Sequence, residues 1–596
     1  MKIQKLIYFL GISLAVSFAL EAQTPGIKIE KLKTDVTYLA SEELGGRKSG
    51  SAGDSLAAVY IRSRLSENGV PLPGSNGFQY FGIISDVRSG PGNRLKIGDR
   101  EFEPGRDFQP FSFSTSASLE AGVVFAGFGI SGTSGELKWD DFEGQDLRGK
   151  WVLVLRGDPE PENANSSFIP MATDRAKALS ARDRGAAGLL LVTPSSIDKT
   201  DQPVDITFDK SVSDAGLPVI SLTRKSASFL LGLPSSSIDS LEKVMIANKM
   251  PARISMKSQV SASTDVIREK VTTRNIMAMI PGSDPVLKNE YIVIGAHYDH
   301  LGMGGPGSGS RVPDTHGVHG GADDNASGVA ALIALTEYFC VESNRPGRSL
   351  LFVSFGAEEM GLLGSKYFVS NSPVDKKAIK AMINLDMVGR LRLDNPTVTV
   401  SGTGTFASAD SLLDILAANR PFQIKRTPDG YGPSDHAAFY GEGIPVLFLT
   451  TGAHEDYHTP DDLASRINYN GQLSVINFTA SLVGALSTIN PAPVFREAGS
   501  RKEAGHYGRG LKVTLGIMPD VSGAETSGGM KVEGTRKDGP AQKAGMIKGD
   551  IITSINGLPV GNIYDYMSRM GKLKPGETVN VEVLRDGRKE ILIIQL

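Results

Sequence analysis

The stretch Tyr291-Ile-Val-Ile-Gly-Ala-His-Tyr-Asp-His300 decides the fold. Its first five residues are apolar or small and predict a buried strand, and polar side chains follow at once. Two later runs, Leu350 to Phe355 and Ala381 to Leu385, repeat this order, each with acidic residues directly behind it. Buried strands that are each followed by polar residues indicate a sheet with its functional side chains along one edge.

Helical patterns separate these strands. Asn325 to Phe339 has apolar residues at helical spacing, and Ser411 to Ala418 is a second helix before a strand at Pro445 to Leu449. Strands that alternate with helices predict an α/β fold, a mostly parallel or mixed sheet with helices on both faces. In such sheets ligands bind beyond the carboxyl ends of the strands.

The bulk composition excludes some partners. The chain has 596 residues and a formal net charge of -3, which gives no reason to expect nucleic acid or an anionic membrane surface as partner. Its length suggests three or four units. Cys340 is the only cysteine, so no intrachain disulfide can form.

The first residues read as a targeting segment. Lys2 and Lys5 precede an apolar run from Leu6 to Leu20, which suits a signal peptide and is short for a membrane span. We place the signal-peptide cleavage site after Ala22. The mature protein is then expected in the periplasm or secreted, without a stable membrane span.

Changes in the pattern of predicted strands, helices and polar segments along the sequence predict the domain bounds. Residues 23–117 and 257–492 are two parts of one α/β domain, and residues 118–256 are a β-rich insert. Residues 493–508 form a linker and residues 509–596 a last small unit. Within the first part, Gly45 to Gly50 lies between two helices, and we interpret it as a surface turn rather than a substrate contact.

Candidate metal ligands gather between Tyr291 and His458, a stretch that holds seven of the eight histidines. The set comprises His297, Asp324, Glu359, Asp386 and His458. Nitrogen and oxygen donors without thiolate suit zinc, or cobalt or manganese in the same geometry. One carboxylate bridging two ions would give an open two-metal site that activates a water.

Neighbours of these ligands suggest the remaining roles. Of the consecutive Glu358 and Glu359, one can bind metal while the other takes the proton of the water. Asp299 can accept the second N–H of His297 and so orient its ring. His300, His316, His319 and His454 stay unassigned.

Five separate motifs resemble peptidase family M28, the zinc aminopeptidases, over about Leu32 to Ile489 apart from the insert. The motifs, in order, are Gly295-Ala-His-Tyr-Asp299, Gly321-Ala-Asp-Asp-Asn-Ala-Ser-Gly328, Ala357-Glu-Glu-Met-Gly361, Asn384-Leu-Asp-Met387 and Tyr457-His-Thr-Pro-Asp-Asp462. The resemblance implies a zinc exopeptidase fold with two zinc ions. Free N-termini of peptides or proteins would be the substrate.

The resemblance also implies a role for each residue. His297 and Asp386 would complete one metal site, and Glu359 and His458 the other. Asp324 would bridge the two, and Glu358 would be the general base and later the acid for the leaving amine.

Three further features follow from the same resemblance. Tyr457 matches a tyrosine that steadies the tetrahedral intermediate in some relatives. Asp435 and His436 match a family stretch that we interpret as structural or pocket-forming. The peptide bond between Asp324 and Asn325 is expected to be cis.

The two smaller units resemble binding domains. The insert is similar to a protease-associated (PA) domain, notably at Asp146-Leu-Arg-Gly-Lys-Trp-Val-Leu-Val-Leu-Arg156. The last unit resembles a PDZ domain, most closely from Gly539 to Gly557. Leu515, Gly516, Ile517 and Met518 stand where such domains capture a C-terminal carboxylate by strand addition.

These observations predict an exported dinuclear zinc aminopeptidase. The alternative is a carboxypeptidase or other amidohydrolase on the same fold, which would need a cation to fix an α-carboxylate. A glutaminyl cyclase fits less well because His297 is present. A non-catalytic PA/PDZ scaffold and a serine hydrolase are disfavoured, the first because every ligand is kept and the second because no Gly-x-Ser-x-Gly motif exists.

Overall fold

A computed structural model describes residues 26–210, 213–234, 236–498, 513–519, 528–535 and 539–596. The predicted signal segment, residues 1–22, lies outside these ranges, as do residues 499–508 of the predicted linker. No helix within the described ranges combines the length and the apolar character that a membrane crossing requires.

The structure contains both strands and helices throughout. The strands are β1 (Phe78–Ser89), β2 (Arg94–Ile97), β3 (Arg100–Phe102), β4 (Phe108–Pro110), β5 (Ala117–Phe125), β6 (Ser131–Ser134), β7 (Leu137–Asp140), β8 (Trp151–Leu155), β9 (Gly188–Val192), β10 (Val219–Leu222), β11 (Gln259–Thr264), β12 (Val266–Ile280), β13 (Tyr291–His297), β14 (Ser349–Phe355), β15 (Ile379–Leu385), β16 (Thr397–Ser401), β17 (Gln423–Thr427), β18 (Val446–Thr450), β19 (Ile517–Pro519), β20 (Met530–Thr535), β21 (Ile551–Ile555), β22 (Leu558–Pro559), β23 (Thr578–Arg585) and β24 (Arg588–Gln595). The α-helices are α1 (Ile29–Leu39), α2 (Ala52–Ser66), α3 (Asp174–Arg182), α4 (Arg224–Leu231), α5 (Ser237–Asn248), α6 (Gly328–Cys340), α7 (Leu363–Ser370), α8 (Ala409–Ala417), α9 (His436–Gly441), α10 (Tyr469–Thr488), α11 (Pro540–Lys543) and α12 (Ile563–Met570).

The catalytic sheet has eight strands in the order β1-β12-β14-β13-β15-β18-β16-β17. Its centre, β14-β13-β15-β18, is parallel, and antiparallel partners flank that centre on both sides. The predicted α/β fold with a mixed sheet is confirmed.

Helices cover both faces of this sheet because its strands are apolar on both sides. Along β13, Ile292 and Ile294 face one core, which α1, α2, α6 and α10 help to form. Val293 faces the opposite core with α7 and α9. This alternation follows from the two-residue period of a strand. Strands buried on both faces read as continuous apolar runs, which is why the sequence reveals them.

The insert forms a second sheet of eight strands, in the order β3-β2-β11-β5-β8-β9-β10-β4. This sheet runs from Arg94 to Thr264 and therefore extends past the predicted bounds of 118–256 on both sides. Strands β2 and β3 escape prediction because they are short and their charged side chains are exposed. The long antiparallel pair β1 and β12 joins this sheet to the catalytic one.

The last unit has the sheet order β19-β20-β21-β23-β24, with β22 paired to β21. Its core gathers residues from β19, β20, β21, β23, β24 and α12, among them Val532 and Tyr566, together with Leu515 ahead of β19. Strand β19 lies at the edge of the sheet, so one of its sides is free of strand partners among the described residues.

Candidate metal centre

The carboxyl ends of three neighbouring parallel strands deliver the candidate site. Strand β13 ends at His297, β14 ends three residues before Glu358, and β15 ends directly before Asp386. These strands pair in parallel, so their ends meet at the same edge of the sheet. The sequence predicts this meeting correctly because parallel strands share a direction.

One half of the site lies around His297. Its Nε2 atom is 3.3 Å from Oδ1 of Asp324 and 3.5 Å from Oδ1 of Asp386. His297 and Asp324 are buried, so water competes little for these atoms. Burial alone would lower the pKa of His297, but the neighbouring carboxylates of Glu358 and Asp386 raise it well above its usual value.

The other half lies around His458. Its Nε2 atom is 3.1 Å from Oδ2 of Asp324 and 3.3 Å from Oε1 of Glu359. Its Nδ1 atom lies 3.0 Å from the carbonyl oxygen of Gly309, which fixes the ring. The two carboxylate oxygens of Asp324 therefore face two different histidines, which is the arrangement that a bridging carboxylate needs.

His300 is a residue of this site that sequence reasoning left unassigned. Its Nδ1 atom is 3.0 Å from Oε1 of Glu359 and 3.8 Å from Oδ2 of Asp324. Its Nε2 atom is buried without a hydrogen-bond partner among the described residues. The signal in the sequence is its place three residues after His297, beyond the end of the same strand.

Asp299 does not take the predicted role beside His297. Its carboxylate oxygen Oδ1 lies 3.9 Å from Nδ1 of His297, too far for a hydrogen bond, and its backbone carbonyl lies 3.3 Å away instead. The carboxylate accepts the backbone N–H groups of Glu358, at 2.9 Å, and Glu359, at 3.3 Å. Asp299 therefore holds the acidic pair in place, because its side chain points across to the neighbouring strand end.

The turn from Gly45 to Gly50 is not a surface turn. Arg47 in this turn is buried and donates to the carbonyl oxygens of Tyr298 at 2.8 Å and Gly320 at 2.6 Å. Ser49 donates to Oδ2 of Asp299 at 2.8 Å. The prediction was wrong because a Gly-rich polar turn predicts a change of direction and says nothing about what packs on it.

Asp462 positions Asp324 from behind. Its carboxylate accepts the backbone N–H groups of Asp323 at 3.0 Å and Asp324 at 3.0 Å. The peptide bond between Asp324 and Asn325 is cis, as the resemblance implies. Oδ1 of Asn325 accepts the N–H groups of Gly328 and Met387, which links this turn to the end of β15.

Left-handed backbone conformations recur at the site. Ala357, Met387 and His458 have φ angles of 55°, 55° and 58°, values that side chains other than glycine seldom adopt. Each of the three is a site residue or directly follows or precedes one. Such conformations persist only where surrounding contacts enforce them, and they concentrate at functional sites.

Glu358 lies among acidic neighbours. Burial raises its pKa well above the usual value, and Glu359 and Asp435 add to the rise while His297 opposes it. Burial also raises the pKa of Asp435 to about 7. The carboxyl group of Glu358 therefore holds a proton more strongly than an exposed glutamate does.

Tyr457 stacks on the ring of His458, with centroids 3.8 Å apart. Burial raises the pKa of its phenol, and the carboxylates of Asp324 and Glu359 raise it further. Its hydroxyl therefore stays protonated and can donate a hydrogen bond into the site.

The remaining four histidines differ in their burial and in the groups that they contact. His436 is fully buried, and its ring stacks on Phe448 with centroids 4.5 Å apart, which fits the structural role expected for it. His454 lies 3.3 Å from Oδ2 of Asp323, the residue before Asp324. His316 is exposed, whereas His319 is buried and lies 2.8 Å from the hydroxyl of Ser310.

The residues fit the binding of metal. Buried carboxylates are costly unless cations balance them, and Oδ1 of Asp386 is buried with no hydrogen-bond partner among the described residues. Two three-residue groups bring ligand atoms within 4.8 Å of one another, and both contain Asp324. Their other members are His297 with Asp386, and His300 with Glu359. Nitrogen and oxygen donors without thiolate suit zinc.

Comparison with known proteins supports the same chemistry. Residues 275–483 match the sequence model of peptidase family M28, and residues 513–596 match that of the PDZ domain. An aminopeptidase of Pseudomonas aeruginosa is 26% identical over 448 residues, which cover 73% of this chain and 71% of that protein. Leupeptin-inactivating enzyme 1 of Streptomyces exfoliatus is 28% identical over 323 residues, covering 50% of this chain and 66% of that protein.

Solved structures of similar shape carry related names. An aminopeptidase from Aneurinibacillus sp. strain AM-1 is 22% identical with a TM-score of 0.48, covering 80% of this chain and 96% of that one. A zinc aminopeptidase from Bacillus subtilis is 21% identical with a TM-score of 0.47, covering 79% of this chain and 99% of that one.

The predicted enzyme class is confirmed by the match to the family model and by the aminopeptidase of Pseudomonas aeruginosa. Residues 275–483 are thus similar to peptidase family M28 and residues 513–596 to the PDZ domain, and the chain is a metallo-aminopeptidase of the hydrolase class.

Proposed function

We propose that the protein is an exported dinuclear zinc aminopeptidase that hydrolyses the N-terminal peptide bond of its substrates. One observation carries the proposal: the two carboxylate oxygens of Asp324 face His297 and His458 separately, at 3.3 and 3.1 Å. A carboxylate placed in this way can join two ions into one site.

Each ion would have its own terminal ligands. His297 and Asp386 would hold the first, and Glu359 and His458 the second. His300 contacts Glu359 and would restrain its carboxylate. Zinc ions held there would supply Lewis acidity, lower the pKa of a water towards neutrality and polarise the scissile carbonyl.

The chain itself supplies the proton transfers. Glu358 would take the proton of the attacking water and then give it to the leaving amine. Asp299 anchors the backbone of Glu358, so the carboxylate keeps its direction through both transfers. Tyr457 would donate its hydroxyl proton as a hydrogen bond to the oxygen that becomes negative in the transition state.

The two smaller units would govern access. We assign residues 94–264 to a protease-associated domain that shapes the entrance to the site. The PDZ domain would take a C-terminal peptide along β19, at Leu515, Gly516, Ile517 and Met518. Gly516 donates its N–H to Oγ1 of Thr514 at 3.0 Å, so a carboxylate would have to displace that hydroxyl.

Export is part of the proposal. It rests on the signal-like residues 1–22, which would direct the chain to the periplasm or the medium. Cleavage after Ala22 predicts a mature protein that begins at Gln23, which N-terminal sequencing of protein from the medium or periplasm would test.

A peptide panel tests the activity. We expect release of leucine from Leu-Gly-Gly and Leu-Gly-Gly-amide, and none from N-acetyl-Leu-Gly-Gly. Glu358→Gln should lower kcat by about 10²–10⁴-fold with zinc still bound, because only the proton acceptor is lost. The matched change Glu359→Gln should lower zinc content instead. Equal cleavage of the N-acetylated peptide, or full activity in Glu358→Gln, would contradict the proposal.

A further inference from the structure

The insert places one cation directly at the metal centre. Nζ of Lys210, in the segment Thr207 to Lys210 of the insert, donates to the backbone carbonyl of Glu359 at 2.7 Å. Glu359 is a proposed metal ligand of the catalytic domain. Among the described residues, no strand of the insert places a side chain as close to these ligands. Lys210 is therefore the residue through which the insert contacts the metal centre.

The same segment packs on the loop that positions His458. A Cβ atom built on Gly307 would lie 2.5 Å from the carbonyl oxygen of Phe208 and 2.9 Å from the side chain of Thr207. The backbones therefore touch, and only glycine fits at position 307. One built on Gly309 would lie 3.2 Å from Nζ of Lys210 and 3.8 Å from Nδ1 of His458, so the ammonium and the imidazole are neighbours.

The charge of Lys210 has no counterpart among the described residues. An ammonium group has three N–H bonds, and the carbonyl of Glu359 accepts one. No carboxylate oxygen of a described residue lies within the 4.0 Å of an ion pair. The carboxylate oxygens of Asp324 and Glu359 face the histidines of the metal centre. A half-buried cation beside a substrate site is therefore left to pair with an anion from outside.

We propose that Lys210 is a specificity residue that binds a substrate carboxylate, which makes short peptides with a free C-terminus the favoured substrate class. This rests on the proposed aminopeptidase function and deepens it. A di- or tripeptide is short enough to place its N-terminal bond at the metals and its terminal carboxylate near Lys210. An acidic side chain after the scissile bond offers the same chemistry from a second source.

Matched peptides test the proposal in the full-length, zinc-loaded enzyme. The first pair is Leu-Gly-Gly and Leu-Gly-Gly-amide, and the second is Leu-Asp-Gly-amide and Leu-Asn-Gly-amide. We expect wild type to favour the carboxylate member of the first pair by about 10-fold in kcat/KM, mainly through KM, the size of one charge-assisted hydrogen bond. A preference in the second pair alone would assign the carboxylate to the acidic side chain instead.

Two variants and one control complete the test. Lys210→Met should bring the ratio of kcat/KM values close to one, and Lys210→Arg should keep the preference. Lys243→Met changes an exposed lysine on α5 of the same insert and should leave the ratio as in wild type. Equal rates within both pairs in wild type, or a preference that survives Lys210→Met, would overturn the role of Lys210. Cleavage of none of these peptides would instead overturn the aminopeptidase function.

Discussion

At the scale of the residue, the site is a set of side chains that each need a second group to hold them. Asp324 can reach two histidines because Asp462 fixes its backbone from behind. Glu358 and Glu359 keep their directions because Asp299 accepts both of their backbone N–H groups. Supporting groups of this kind commonly change metal affinity or activity 10–100-fold when they are removed.

Asp462 offers a direct test of that support. Asp462→Asn keeps one accepting oxygen and puts a donor NH2 group in place of the other, so the backbone anchor of Asp323 and Asp324 is weakened. We expect zinc affinity to fall by about 10–100-fold while all five proposed ligands stay present. Competition with a chelator of known affinity measures the zinc affinity of each variant. Asp461→Asn, at the exposed neighbour, is the matched control, and equal affinity in both variants would contradict the positioning role.

Sequence alone predicts the ligands better than their supports. The residues that follow apolar runs, such as His297 and Asp386, are visible because a strand end is a pattern. The contacts of Arg47 and Ser49 are not, because they join segments about 250 residues apart and depend on how the turn packs. His300 shares features of both groups. Its position beyond a strand end suggests a site residue, but its contact with Glu359 depends on how the chain folds.

At the scale of the element, α9 begins with a histidine that has no polar partner. His436 is fully buried, and neither ring nitrogen has a hydrogen-bond partner among the described residues. Burial lowers its pKa to about 3, so the folded protein keeps the ring neutral where the unfolded chain, with a pKa near 6.5, would bind a proton. Stability contributed by the neutral ring is complete above pH 6.5 and is lost as the pH falls towards 3.

Unfolding at different pH values tests this. Between pH 7 and pH 4.5 we expect wild type to lose roughly 2–3 kcal/mol through His436, and His436→Phe to lack this part of the loss. Urea unfolding of both proteins gives the two pH profiles. His316→Phe, at an exposed histidine, should follow wild type. Parallel profiles for wild type and His436→Phe would show that the buried ring does not control acid stability.

Elements with a strong pattern were predicted almost to the residue, and weakly patterned ones were not. Strands β14 and β15 are buried along most of their length, and the predicted runs Leu350 to Phe355 and Ala381 to Leu385 lie within one or two residues of their bounds. Helix α6 begins at Gly328 rather than at the predicted Asn325, because the preceding turn bends to aim Asp324 at the site. Strands β2 to β4 were missed because each is only three or four residues long, too short to show a periodic pattern.

At the scale of the whole molecule, ion pairs tie the PDZ domain to its neighbours. Arg569 on α12 contacts both carboxylate oxygens of Asp183 beside α3, and Arg182 contacts Asp565 at 2.6 Å. Lys548 contacts Glu442 of the catalytic domain at 2.6 Å. Arg569 and Asp183 are almost fully buried, so breaking that pair leaves an uncompensated charge.

Charge reversal tests this docking. Arg569→Glu would face Asp183 with a like charge in a buried contact, so we expect the PDZ domain to separate from the insert and the radius of gyration to rise in small-angle X-ray scattering. Arg588→Glu, at an exposed residue of the same domain, should leave the scattering unchanged. Scattering of Arg569→Glu that matches wild type would mean that other contacts hold the domain.

Anomalous diffraction at the zinc edge tests the central claim, that Asp324 bridges two ions. The account predicts two peaks roughly 3.5–4 Å apart, one beside His297 and Asp386 and the other beside Glu359 and His458. One carboxylate oxygen of Asp324 should touch each peak. A single peak, or two peaks that Asp324 does not join, would contradict the account.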